Sequence, residues 1–319
     1  MILILGVTAS GKGKLACGLA QKINAEIISV DSMKVYRRMD IGTAKPSPQS
    51  RQKLKYHLID VVEPSESFSV GRFLELAKDA IKNIKQRNKS IIAVGGTALY
   101  IKALLYGLFE GPGADENIRK QLKQRAKNEG LTTLYDELIA IDPQAADRIS
   151  PNDARRIIRA LEVHQLTGKP ISSFQQQWND SINCPTDKWT IIGLRRKKDV
   201  ESKRINARVK KMINTGLVDE VKTLLAEERP LSKQAAAAIG YAEIIEHLKG
   251  KTILQDAVEL IKINTRRFAK SQRTWFKTFQ NVNWLDIAEN QTTDQILART
   301  EKLLAEKKRH IGKPPEPQA

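Results

Sequence analysis

Residues 6–12 read Gly6-Val7-Thr8-Ala9-Ser10-Gly11-Lys12, a glycine-framed turn set between an apolar run at 2–5 and an amphipathic stretch. In that stretch Leu15, Leu19 and Ile23 recur at helical spacing, with Ala16 and Ala20 beside them. A buried strand that runs through such a turn into a helix is the context a phosphate-binding loop requires. The glycines let the backbone wrap around anionic oxygens, the amides at the helix start point at those oxygens, and Lys12 supplies a point charge. Gly13 departs from the usual pattern, in which Ser or Thr follows the lysine and helps to hold Mg²⁺. Phosphate binding survives that change. The metal then falls to Ser10 or to water.

Working outward, further apolar runs at 26–30, 57–62 and 91–94 read as strands. Between the last two, Phe73, Leu76, Ala80 and Ile84 hold helical spacing after a start signal at Ser67–Ser69. Strand–helix alternation of this kind predicts an α/β fold, a P-loop NTPase-like parallel sheet covered on both faces. Past Gly111-Pro112-Gly113 nearly every segment to Thr167 reads as helix, with breaks at Gly130 and Asp142-Pro143 and a cap at Ser150-Pro151-Asn152-Asp153. A strand at 189–194 then returns to the sheet, and helices follow at about 199–215, 217–228, 236–248 and 253–280. The expected organisation is a first core part over 1–113, a helical insertion over 114–187, a mostly helical second core part over 188–308, and a disordered Pro-rich tail over 309–319.

The chain's 54 Lys and Arg against 36 Asp and Glu give a formal net charge of +18, which favours a polyanionic partner, nucleic acid ahead of an anionic membrane. Cys17 and Cys184 are far apart and in no paired motif, so neither a zinc module nor a disulfide framework is indicated. The start of the chain lacks a basic n-region and a cleavage site, and no apolar run reaches the length of a membrane span. A cytoplasmic protein is expected, monomeric, with no protein partner evident.

Two more strand ends open toward the same crevice. The second strand runs into Asp31-Ser32-Met33-Lys34, and a carboxylate at the carboxyl end of a parallel strand lies where such folds bind ligands. Asp31 is placed as a metal ligand or general base, or as a capping Asp in a tight turn. The fourth strand ends in Val94-Gly95-Gly96-Thr97, where the glycines admit a ligand and Thr97 offers a hydroxyl or a helix N-cap.

At this point the residues carry a family resemblance. GVTASGK, DSMKVYRRMDIGTAKP, HLIDVVEP and VGGTALY, in that order and spacing, resemble the tRNA dimethylallyltransferases. So do ISPNDARRIIRALEVHQLTGKP, RINARVKKMINTGLVDEV, AAIGYAEI and TRRFAKSQRTWF, so that the likeness spans about residues 3–279. The chain has no Cys/His set for a zinc finger and is similar to the shorter bacterial type.

The resemblance implies that Thr8, Ala9, Ser10, Gly11 and Lys12 cradle the diphosphate of dimethylallyl diphosphate, with Mg²⁺ assisting. Gly6, Val7 and Gly13 complete the expected diphosphate site, Arg204 or Arg208 is placed to reach it from the helix that follows the returning strand, and Ser10 and Asp31 are the candidate metal ligands. It implies that Asp31 is the base on an adenine exocyclic amine and that Thr97 aligns that amine. The substrate would be the adenosine 3′ of the anticodon, turned out of its stack into the crevice. Ser32, Met33 and Lys34 would line its entrance.

Helices of the insertion and basic helices would grip the anticodon stem-loop. Candidates are Arg119, the segment Arg155, Arg156, Ile157, Ile158 and Arg159, and the stripe Arg266, Lys270, Arg273 and Lys277 opposite Ile261, Phe268 and Trp275. Arg204, Arg208 and Lys211 line another face. A solvated basic face is the plainer account of any one stripe. A P-loop small-molecule kinase, an adenylate isopentenyltransferase acting on free AMP or ADP, and a tRNA-binding protein with lapsed catalysis are the alternatives.

Overall fold

The apolar runs form β1 (Ile2–Gly6), β2 (Ala25–Val30), β3 (Tyr56–His57), β4 (Ser90–Gly95), β5 (Thr190–Arg195) and β6 (Val282–Asp286). They make one parallel sheet of order β3-β2-β4-β1-β5-β6, in a computed structural model that describes residues 1–108, 111–175 and 188–311. β1 lies between β4 and β5, with Gly6 level with Leu194 and Leu5 with Gly95. Both β1 and β2 are buried along almost their whole length, as strands covered on both faces must be.

Contacts divide the chain into two units, 1–105 with 185–319, and 106–184. In the first, the sheet is joined by α1 (Lys12–Lys22), α2 (Pro48–Lys53), α3 (Val70–Gln86) and α4 (Ala98–Tyr106). The second unit holds α5 (Glu116–Asn128), α6 (Leu131–Ile141), α7 (Pro143–Ala146), α8 (Ala154–Thr167) and α9 (Ile171–Phe174). The first unit resumes with α10 (Lys198–Asn214), α11 (Leu217–Leu225), α12 (Lys233–Ala236), α13 (Tyr241–Leu248), α14 (Leu254–Phe276) and α15 (Thr293–Ile311). The insertion expected over 114–187 overlaps the second unit, and its stretch 176–187, with Cys184 and Pro185, lies outside the described residues.

Several expectations change. The strand expected over 57–62 stops at His57, because Leu58 and Asp60 turn the chain with φ of 61° and 56°. Asp60 is held out of the sheet by Lys45 Nζ at 2.6 Å and by Arg51. The helix expected over 236–248 is two, parted by Gly240 with φ 97°. β6 and α15 went unread in the mostly helical second core part. β6, VNWLD, is a half-buried edge strand without clean alternation. On α15, Ile296 and Leu297 pack into one cluster with Leu15 and Leu19 of α1. α15 carries residues 309–311 of the expected tail, and 312–319 lie outside the described residues.

The second unit packs Leu122, Leu134, Leu138, Ile157, Ile158 and Leu161 into its own core. Beside that core, Glu162 is fully buried and accepts Arg159 Nη1 at 2.7 Å, Arg119 Nε at 2.9 Å and the Asp115 amide at 2.7 Å. Burial would raise its pKa, but these donors hold the carboxyl below the usual range.

Glu26, at the amino end of β2, gives a pH prediction. Burial pushes its pKa up, but hydrogen bonds from Arg87 and His57 outweigh that and bring it down to about 2. A depressed folded-state pKa gives stability that is present above the unfolded value of about 4.3 and is lost as pH falls toward 2. Glu26→Gln should flatten the decline of the melting temperature across that window. An unchanged acid profile would remove Glu26 as its source.

Candidate active site

The ends of β1, β2, β4 and β5, with α10 and α14, build the site, all within the first unit. Gly11 caps α1 with φ 103°, a left-handed conformation that any side chain would strain, so the loop closes tightly before Lys12. Lys12 Nζ donates back to Val7 O at 3.1 Å. From α10, Arg204 Nε donates to Ala9 O at 2.8 Å and Arg208 Nη1 to Thr8 Oγ1 at 3.3 Å. The structure therefore brings both arginines singled out from the sequence to the loop. A Cβ on Gly13 would meet nothing within 4 Å, so the place of the missing hydroxyl is open space. The Ser10 hydroxyl is buried with no hydrogen-bond partner, and lies 2.9 Å from where a Cβ on Gly6 would stand.

Burial first, then Lys34 and Arg208, lower the pKa of Lys12 to about 7 against the opposing pull of Asp31. Burial likewise lowers Lys34 and Arg208, and Asp31 raises both. One carboxylate thus sits within electrostatic reach of three crowded cations. An anion entering this loop should raise the Lys12 pKa and draw a proton from solvent. Titration calorimetry with inorganic diphosphate at pH 7.5 in buffers of different ionisation enthalpy should show proton uptake, and affinity should fall as pH rises above about 7. Because diphosphate exchanges protons of its own, Lys12→Ala is the reference, and a buffer dependence identical in that variant would mean that Lys12 takes up no proton.

Asp31 follows β2, and its Oδ1 accepts the amides of Met33 at 2.9 Å and Lys34 at 3.2 Å. One oxygen thus shapes the turn, and the same carboxylate stands within electrostatic reach of Lys12, Lys34 and Arg208. At the end of β4 a Cβ on Gly95 would fall 1.9 Å from Val30 O, so only glycine lets the two strand ends close. That approach brings Thr97 Oγ1 to the Ser32 amide at 3.0 Å and to Ser32 Oγ at 3.4 Å.

Sequence reasoning missed two residues of this cluster. Gln272 of α14 is buried, accepts the Thr8 amide at 2.8 Å and donates to Gly96 O at 2.8 Å, which ties the phosphate loop to the Gly95-Gly96 turn. A polar residue interrupting the buried stripe Ala257, Ile261, Ala269 and Phe276 was the available signal. Arg196, just past β5, donates from Nε to Ser10 O at 3.0 Å. It was hidden in the run Arg195-Arg196-Lys197-Lys198.

The residues proposed for RNA contact separate by environment. Arg155, Arg156, Lys270 and Lys277 are exposed. Ile157 and Ile158 are 0% and 7% exposed and their side chains are taken up in the second unit's core. Arg119 and Arg159 are engaged by Glu162, Arg266 by Asn206 Oδ1 at 2.7 Å, and Arg273 by the buried Glu201. Phe268 is 43% exposed and does not join the apolar side assigned to it.

A parallel sheet, a phosphate loop ringed by Lys and Arg, and a carboxylate at the neighbouring strand end define a P-loop-like transferase that handles a phosphorylated donor. The IPP transferase family model matches residues 34–279. A tRNA dimethylallyltransferase of Geobacter metallireducens is 45% identical over 289 residues, 90% of this chain and 92% of that protein. The tRNA isopentenylpyrophosphate transferase of Bacillus halodurans superposes with a TM-score of 0.69 at 40% identity, covering 96% and 95% of the two chains. A eukaryotic dimethylallyltransferase acting on tRNA gives 0.79 at 28% identity, covering 100% of this chain and 81% of that one. The chain belongs to the IPP transferase family. Among the described residues no helix is long and apolar enough to cross a membrane.

Proposed function

We propose that the chain transfers a dimethylallyl group from dimethylallyl diphosphate to the exocyclic amine of the adenosine 3′-adjacent to the anticodon in tRNA, acting as a cytoplasmic monomer. The observation that carries this reading is the juxtaposition of Asp31 with the cations Lys12, Lys34 and Arg208 at the phosphate loop. The adenine nitrogen attacks the allylic carbon, the bond from that carbon to the bridging oxygen breaks, and diphosphate leaves with the electron pair. The proton lost by the amine passes to Asp31, and Thr97 orients the amine beside it. An amine conjugated with its ring is a weak nucleophile, so a nearby carboxylate and close positioning are what it needs. Negative charge grows on the leaving group, where preset cations and loop amides stabilise it more than the ground state.

Mg²⁺ is the cofactor we propose. Among the described residues no cluster of three or more His, Cys, Asp or Glu side chains could cage an ion. Mg²⁺ bound through one carboxylate, substrate phosphates and water needs no such cage. Asp31 and the open space beside Gly13 fit that mode, and Ser10 is the hydroxyl closest in sequence to it. When bound, the ion would add Lewis-acid charge to the leaving diphosphate.

The test is mass analysis of tRNA after incubation with dimethylallyl diphosphate, with the modified position mapped and with ATP and free AMP in parallel. Isopentenyladenosine beside the anticodon is expected. ATP turnover without prenyl transfer would indicate a kinase, and prenylation of AMP without tRNA an adenylate isopentenyltransferase.

A further inference from the structure

Arg196 is held by two carbonyls. Its Nε donates to Ser10 O at 3.0 Å and its Nη1 to Ala288 O at 2.8 Å, which fixes the guanidinium plane and leaves Nη2 for another acceptor. Nη2 lies 3.9 Å from the point a Cβ on Gly11 would occupy, and Arg204 Nη2 lies 3.8 Å from the same point. Two guanidinium groups thus flank the bare Cα of Gly11, each pinned by a loop carbonyl, Ser10 O and Ala9 O. Among the described residues neither makes an ion pair, and each guanidinium lies close enough for its charge to act on the other. Glu201 also acts on Arg196, but that carboxylate is already paired with Arg273, so the two like charges beside Gly11 lack a carboxylate of their own and are unfavourable unless an anion joins them.

We propose that Arg196 is a further residue of the diphosphate site, forming with Arg204 a two-guanidinium rim around Gly11 that binds the leaving diphosphate. The hydrogen bond to Ser10 O also polarises the Ser10–Gly11 peptide, so the Gly11 amide becomes a stronger donor to the same anion. The inference rests on the reading that this loop holds diphosphate.

The test uses the full-length protein and inorganic diphosphate as probe, measured by titration calorimetry on wild type, R196K, R196Q, R196M and K12A. R196Q and R196M should weaken binding about 10-fold, the size expected for a charge-assisted hydrogen bond, and R196K by less than about 3-fold. The KM for dimethylallyl diphosphate should rise in the same ratio. R196M keeps the aliphatic stem, so it stands in if R196Q does not fold. Wild-type affinity in R196Q and R196M would overturn the proposal. So would an equal loss in R196K, which would mark a packing role. If K12A loses binding and R196Q does not, only the proposal falls. If the wild type does not bind diphosphate, the reading of the loop falls with it.

Discussion

Asp31→Asn should lower the rate of prenyl transfer by about 10²–10⁴-fold while leaving the melting temperature and tRNA affinity near those of the unaltered protein. Asparagine is chosen because its carbonyl can still accept the Met33 and Lys34 amides that Asp31 Oδ1 accepts now. The turn is kept and only the charge is lost. Asp31→Ala would remove the turn's acceptor as well, at about 1 kcal/mol, and would confuse the two effects. Charge removal has one side effect that can be separated. Asp31 raises the pKa of Lys12, so the Asn variant holds less charge on Lys12 near neutral pH and should bind diphosphate less well there. Rates should therefore be taken at pH 6 with saturating donor, where that difference fades. A variant that turns over normally under those conditions would leave Asp31 as a turn cap alone.

What the sequence disclosed follows from which interactions are local. The loop at 6–12 and the two strand-end loops are short segments whose chemistry is written in consecutive residues, so they could be read directly. Four of the six strands were read nearly to their ends, because buried parallel strands are unbroken apolar runs. β3 and β6 were not. One is cut short by the positive φ at Leu58 and Asp60, the other is a half-exposed edge. Gln272 and Arg196 escaped for a different reason. Each acts on a loop at least 186 residues away in the chain, and no periodicity reports such a contact. The basic stripe on α14 is more mixed than its spacing shows, with Lys270 and Lys277 exposed and Arg266 and Arg273 engaged by α10. Spacing shows which residues share a helix face, but not whether a neighbouring helix already supplies them with partners.

Arg273 is the sharpest case, and it yields the other large effect. On the sequence it belongs to a basic face awaiting phosphate, yet its guanidinium is paired with Glu201 of α10, whose side chain is 4% exposed. Burial pushes the Glu201 carboxyl above its ordinary range even with Arg273 present. Arg273→Leu would leave that carboxylate buried without its partner, and the expected loss is about 3 kcal/mol. The group then has a folded-state pKa raised further above its unfolded value. Its contribution is favourable below the unfolded pKa and is lost as pH rises, so the deficit should be larger at pH 8 than at pH 5. The double variant Glu201→Leu/Arg273→Leu replaces the pair by apolar contact and should recover most of the stability. Lys270→Ala is the contrast. Lys270 is exposed, so its loss should leave melting alone and reduce the salt dependence of tRNA binding by about one contact. Denaturant unfolding and salt-dependent tRNA titration on the same variants separate the two roles. If Arg273→Leu weakened the salt dependence and left unfolding untouched, the ion pair would contribute nothing and the stripe would act as a single RNA-facing surface.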